Sequence, residues 1–130
     1  MIRVLINSPD IEMAPALRKA LGSESGMYSV SDARPGPVFV RTVRGDKTDI
    51  VVFDRVHEHP EATQVEIAIV KDIRPEARII VISGESSEKD AKIIEQGVYY
   101  YLTSGAGPEL IRVIKAAAKS LGAEQKEILS

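Results

Sequence analysis

Three short runs limit what this chain can fold into: "IRVLI" from Ile2, "DIVVFD" ending at Asp54 and "ARIIVIS" ending at Ser83. Each is almost continuous in Ile, Val, Leu and Phe. A strand with one wet face alternates apolar and polar residues, whereas a continuous apolar strand must be covered on both faces, as in a parallel sheet clad by helices. The strands Ile2 to Ile6, Asp49 to Asp54 and Ala77 to Ser83 are therefore expected at the centre of a sheet. Met27 to Asp32 alternates, and Tyr99 to Leu102 carries hydroxyls on large rings, so these two suit the edges.

The segments between the strands carry helix punctuation. Pro108 opens the last helix with Glu109 in its positive first turn; Leu110, Val113, Ile114, Ala117 and Leu121 form its apolar stripe, and Gly122 is expected to close it. Residues 123–130, "AEQKEILS", read as a tail or linker after a domain spanning 1–122. Ser86 or Ser87 can cap a helix through Gln96, with Asp90 supporting a capping box and Gly97 as its stop. Pro60 can begin another, with Val65, Ala68, Ile69 and Ile73 expected to face inward before Pro75 ends it. "PGPVFVRTVRG" makes a short helix between Pro37 and Gly45 despite its β-branched residues. In "SPDIEMAPALRKALG", Ser8 looks like a cap with Pro9 at the first helical position, but Pro15 would then fall inside at a cost of about 3 kcal/mol. Either the helix kinks there or it starts several residues late, and both outcomes make the preceding loop atypical.

Alternating strands and helices with short connections imply right-handed βαβ units. The expected fold is a three-layer α/β/α sandwich, flavodoxin-like, with a five-stranded parallel sheet in the order 2-1-3-4-5. Its functional rim, at the carboxyl ends of strands one, three and four, gathers Asn7, Ser8 and Asp10, then Asp54, then Ser83 and Gly84, with Ser104 beside them. At 130 residues and 44% hydrophobic content the chain matches one domain with one core. Nineteen acidic against seventeen basic residues leave a formal charge of −2, which provides no cationic field for nucleic acid or anionic lipid. Protein partners are expected instead. The absence of cysteine excludes disulfides and thiolate metal sites, and together with strand-sized apolar runs it points to the cytoplasm.

From about Ile2 through Leu121 the chain resembles the receiver (CheY-like) domains of two-component response regulators. In that family the third strand ends in the aspartate that accepts a phosphoryl group, which implies that role for Asp54. The fourth strand ends in a hydroxyl that contacts the phosphoryl group, here Ser83, followed by a small residue, Gly84. "GVYYYLTSGAG" is similar to the fifth-strand signature, with Tyr101 as the aromatic that reports the state of the site. Receivers also carry a pair of acids after strand one to hold magnesium, and a Lys-Pro after strand five. Here those places read "NSPD" and Ser104-Gly105, and the usual Met-Pro after the acceptor is "HEHP".

These departures have physical consequences. Attack of a carboxylate on phosphorus brings anion to anion and adds about −1.5 to −2 charge, so a metal and a cation normally stabilise the transition state. Asp10 and Asp54 remain as carboxylates that could take magnesium with phosphate oxygens. Arg55 is read as no substitute cation, because neighbouring strand residues point to opposite faces. The resemblance thus implies a non-catalytic signalling domain, at most self-phosphorylating on Asp54. Its degenerate pocket of Asn7, Ser8, Asp10 and Ser104 suits a phosphorylation-independent or weakly phosphorylated interaction module, a pseudo-receiver similar to those at the N-terminus of some pilus-assembly ATPases. The alternatives are a conventional receiver using Asp54 with Mg2+ and a flavodoxin-like binder of a small anion. The partners implied are a histidine kinase, an output domain or a second copy, met through the helix 4, strand 5 and helix 5 face, where Lys89, Lys92, Glu95, Arg112, Lys115 and Lys119 are expected near Tyr101.

Other patterns carry less. His57, Glu58 and His59 include good zinc ligands but belong to a short extended loop with no other His or Cys in the chain. "GDKT" lacks the upstream glycine of a P-loop and precedes a strand. Gly105 and Gly107 lack the third glycine of a dinucleotide fingerprint.

Overall fold

The computed structural model describes residues 1–83, 90–102 and 107–129. Its five strands are β1 (Ile2–Asn7), β2 (Tyr28–Ala33), β3 (Ile50–Asp54), β4 (Arg78–Ile82) and β5 (Tyr100–Leu102). They form one parallel sheet in the order β2-β1-β3-β4-β5. The three continuous apolar runs are the central strands and the two mixed segments are the edges, as the covering argument requires. Five helices clad the sheet: α1 (Met13–Leu21), α2 (Pro37–Gly45), α3 (Pro60–Ile73), α4 (Asp90–Glu95) and α5 (Pro108–Leu129).

The period of two along each strand divides the core into two layers. Val4 and Ile6, Ile50 and Val52, and Ile80 and Ile82 pack under α1 and α5 against Leu17, Leu110 and Ile114. Leu5, Val51, Phe53, Ile79 and Val81 pack under α2, α3 and α4 against Phe39, Ile67, Val70 and Ile93. Phe39 meets Phe53 edge to face, with ring centroids 5.4 Å apart. All five expected apolar positions of α5 are buried.

Of the two outcomes expected for the first helix the late start is the one observed, and two other helices differ from their sequence patterns. The first starts late: Glu12, not Ser8, precedes Met13, so Pro15 takes the third helical position, where its missing N–H would have had no intrahelical acceptor. The helix α5 does not stop at Gly122 but continues to Leu129. Gly122 is not among the glycines with positive φ, whereas Gly97, which ends the α4 turn, has φ +83°. The inward face of α3 is rotated from the one expected. Thr63, Glu66, Ile67 and Val70 are buried, Val65 and Ala68 are exposed, and Ile69 and Ile73 are half-buried. The apolar content of α3 is spread around its circumference, so periodicity alone does not pick the buried face. Ser86, Ser87, Lys89 and Ser104 lie outside the described residues. Among the described residues, no helix is long and apolar enough to cross a membrane.

Candidate functional site

The carboxyl ends of β1 and β3 meet at the rim, and strand alternation divides their polar residues between the two faces of the sheet. Asn7 continues the Leu5 side and Ser8 the Ile6 side; Asp54 follows Val52. Ser8 and Asp54 thus fall on the α1–α5 side, and Asn7 faces α3.

On the first side the groups close into a ring. The Ser8 hydroxyl donates to Asp54 Oδ2 at 2.8 Å and accepts the Asp10 N–H at 3.0 Å. Asp10 Oδ1 accepts the Glu12 N–H at 3.0 Å, holding the turn that delays α1. Asp10 Oδ2 accepts from Arg55 Nη2 at 3.3 Å, and Arg55 Nε lies 3.7 Å from Asp54 Oδ2. Two carboxylates, one hydroxyl and one guanidinium therefore satisfy one another. The Asp54 side chain is only 11% exposed, while those of Arg55 and Asp10 are 45% and 37% exposed, so the ring is open on its Asp10–Arg55 side.

The position of Arg55 corrects the alternation argument. Strand β3 ends at Asp54, and Arg55 adopts a left-handed conformation with φ 56° and ψ 42°, the one positive φ at a non-glycine among the described residues. The period of two does not extend into such a residue, and the turn swings the guanidinium back over the rim. A short 3₁₀ segment, Val56–Glu58, then leads to α3.

On the other side sits a residue that sequence reasoning missed. Glu66 of α3, 7% exposed, accepts the Asn7 side-chain amide and the Gly36 N–H through Oε2, each at 3.2 Å. Burial pushes its carboxyl above the ordinary range, and the two hydrogen bonds pull it back in part. Asn7 is consequently committed to α3 and does not share the Asp54 ring. A mid-helix glutamate carries no mark of burial in sequence; only Thr63, three residues before it on the same helix face, hints that this face is not purely apolar.

The remaining expected residues are placed as follows. Ser83 is fully buried just past β4, one residue beyond the Asp54–Ile82 register pair, and its N–H donates to the Leu102 carbonyl at 2.8 Å. Tyr101 is half-buried against the α2–α3 layer, and Tyr99 and Tyr100 are exposed. Arg112 and Lys92 are exposed. Lys115 departs from the expected cluster: it pairs with Glu24 in the 3₁₀ segment Gly22–Met27, which leads into β2 at the opposite edge of the sheet from β5. Glu58 and His59 are exposed, and the His57 side chain lies outside the described part. Among the described residues no three His, Asp or Glu side chains are grouped to hold a metal ion.

No protein-family model and no curated protein matches the sequence. Solved structures do. A response regulator receiver domain protein (CheY-like) from Methanospirillum hungatei JF-1 superposes with a TM-score of 0.75 at 19% identity, covering 98% of each chain. A response regulator protein from Burkholderia pseudomallei, solved with a phosphorylated aspartic acid, a calcium ion and citrate, gives 0.72 at 23% identity over 98% of this chain and 75% of that one. A putative pilus assembly protein (cpaE) from Burkholderia thailandensis E264 gives 0.69 at 25% identity over 92% of this chain and 99% of that one. The fold is that of CheY-like receiver domains.

Proposed function

We propose that this chain is a response-regulator receiver domain that works chiefly as a protein-interaction module in the cytoplasm, with phosphorylation of Asp54 slow or absent. The observation that carries this reading is the ring of polar contacts around Asp54. Its Oδ2 accepts from Ser8 and lies near the Arg55 guanidinium. The place of the family's acid pair is held by Asn7, which is engaged with Glu66, and by Ser8. A hydroxyl donor and a guanidinium on Oδ2 draw charge from the carboxylate and make it a weaker nucleophile, and among the described residues the rim offers no further acid pair to hold magnesium against the incoming anion. Support also comes from the likeness to receiver domains and to the pilus assembly protein.

Magnesium fits this donor set poorly. Among the described residues Asp10 and Asp54 are the carboxylates that meet there, and both already neighbour one guanidinium. No step is therefore assigned to a metal. The chain's own residues orient Asp54, through the Ser8 hydroxyl, and balance its charge, through Arg55.

For partner contact the reading favours the face made by α4, β5 and α5. There Ile94, Tyr99 and Tyr100 are exposed, as are Lys92 and Arg112, and a hollow lies between Tyr99, Tyr100, Glu109 and Arg112. Exposed aromatics flanked by arginine are the composition of binding surfaces. A kinase, an output domain or a second copy are the partners in view.

The test is incubation with acetyl phosphate and magnesium, followed by intact mass. The expected result is little or no gain over hours. A rapid, stoichiometric phosphoryl mass that Asp54→Asn abolishes would establish the conventional receiver instead. The partner face is tested by reversing charge at Lys92 and Arg112, which is expected to weaken self-association or partner capture; unchanged binding removes that face from the proposal.

A further inference from the structure

The magnesium ion that accompanies this fold in phosphoryl transfer finds a poor donor set here, and the reason is a residue that no sequence pattern marks. We propose that Arg55 is the resident counter-cation of this rim, a guanidinium fixed by the backbone where a divalent ion would otherwise balance Asp10 and Asp54. The inference rests on the reading of this rim as a receiver site.

Three observations carry it. The guanidinium spans both carboxylates, with Nη2 at 3.3 Å from Asp10 Oδ2 and Nε at 3.7 Å from Asp54 Oδ2. Each carboxylate is independently held in place for it, Asp54 by the Ser8 hydroxyl and Asp10 by the Glu12 N–H. The backbone of Arg55 is left-handed, a conformation that a long side chain adopts against steric preference. A glycine or asparagine would hold that turn with less strain, so the residue type is explained by its side chain and not by the turn. A guanidinium presents planar, directional donors and a permanent single positive charge, so it offsets half the charge of the pair without an ion being captured. It also repels an arriving cation.

The experiment titrates MgCl2 into the 15N-labelled wild type, Arg55→Gly and Arg55→Asn, reading backbone amides of residues 7–10 and 54–56. Both replacements accept the left-handed turn and remove the charge. The wild type is expected to show no saturable shift. Both variants are expected to show saturable shifts with affinity at least about tenfold above any wild-type binding, a difference of about 1.4 kcal/mol. Adding Asp10→Asn to either variant is expected to abolish the gain. Saturable wild-type binding as tight as that of the variants overturns the proposal, as does failure of folded variants to gain binding. If neither variant folds, the wild-type titration decides alone: saturable shifts at these amides overturn the proposal and their absence upholds it. Acetyl phosphate added to the same samples separates the two readings. Wild type that binds magnesium without gaining phosphoryl mass defeats the counter-cation alone, whereas wild type that is rapidly phosphorylated defeats the proposed interaction module.

Discussion

Asp54 and Glu66 are the two most enclosed carboxylates described at this rim, lying on opposite sides of the same strand ends, and they are kept in place by different means. Asp54 has a hydroxyl partner and a neighbouring cation, with one side of its ring in solvent. Glu66 has two neutral donors, the Asn7 amide and the Gly36 N–H, and no cation within ion-pairing distance among the described residues. The first is a balanced charge at a surface. The second is a buried acid whose charged form is disfavoured by its surroundings. The difference separates a displayed group from a structural one: Glu66 ties α3 to the end of β1 and to the turn before α2, while Asp54 ties β3 to the loop after β1.

The largest effect that would sharpen this contrast is expected from Glu66→Ala. It leaves the buried Asn7 amide and the half-buried Gly36 N–H without their acceptor, so a loss of about 2–3 kcal/mol in urea unfolding is expected. A loss under about 0.5 kcal/mol would mean that Glu66 is not a structural tie. Its pH dependence has a definite sign. Because the folded-state pKa is raised, the stabilising contribution of this acid is fully present below its unfolded value of 4.5 and is lost as the pH rises through the raised folded value. Thermal midpoints of the wild type relative to Glu66→Gln should fall across that window, and parallel profiles would remove the distinction from Asp54.

On the other side, Ser8→Ala removes one donor to Asp54 and the acceptor of the Asp10 N–H. With solvent able to replace part of this, about 1 kcal/mol of lost stability is expected. A loss as large as that of Glu66→Ala would erase the contrast between the two carboxylates. The smallest effect belongs to Asp10→Asn, which leaves the Glu12 N–H an acceptor but weakens an exposed ion pair. About 0.5 kcal/mol or less is expected, shrinking further in high salt. A larger, salt-insensitive loss would show the ring to be more enclosed than its exposures indicate.

Much of this molecule is readable from patterns of residue type. Continuous apolar runs of strand length, rich in β-branched residues, fit strands covered on both faces, so the sheet order, the edges and the display of Asp54 at a strand end follow from short-range patterning and chain connectivity. Pro37, Pro60 and Pro108 begin helices because the first helical position needs no N–H, and Pro15 delays one for the same reason. Other features depend on which groups meet across the fold. The inward face of α3 was set by what Glu66 could find near β1 and the turn before α2, not by its apolar count. The persistence of α5 past Gly122 shows that a glycine stops a helix only when the chain takes a left-handed turn there. Arg55 reaches Asp10, 45 residues away, through a single backbone turn at φ 56°. Local propensity acts over a few residues and is written into sequence; charge pairing acts between segments that only the folded sheet brings within a few ångströms. Short-range patterning thus specifies the scaffold and the displayed aspartate, and contacts between distant segments choose the side chains that surround it.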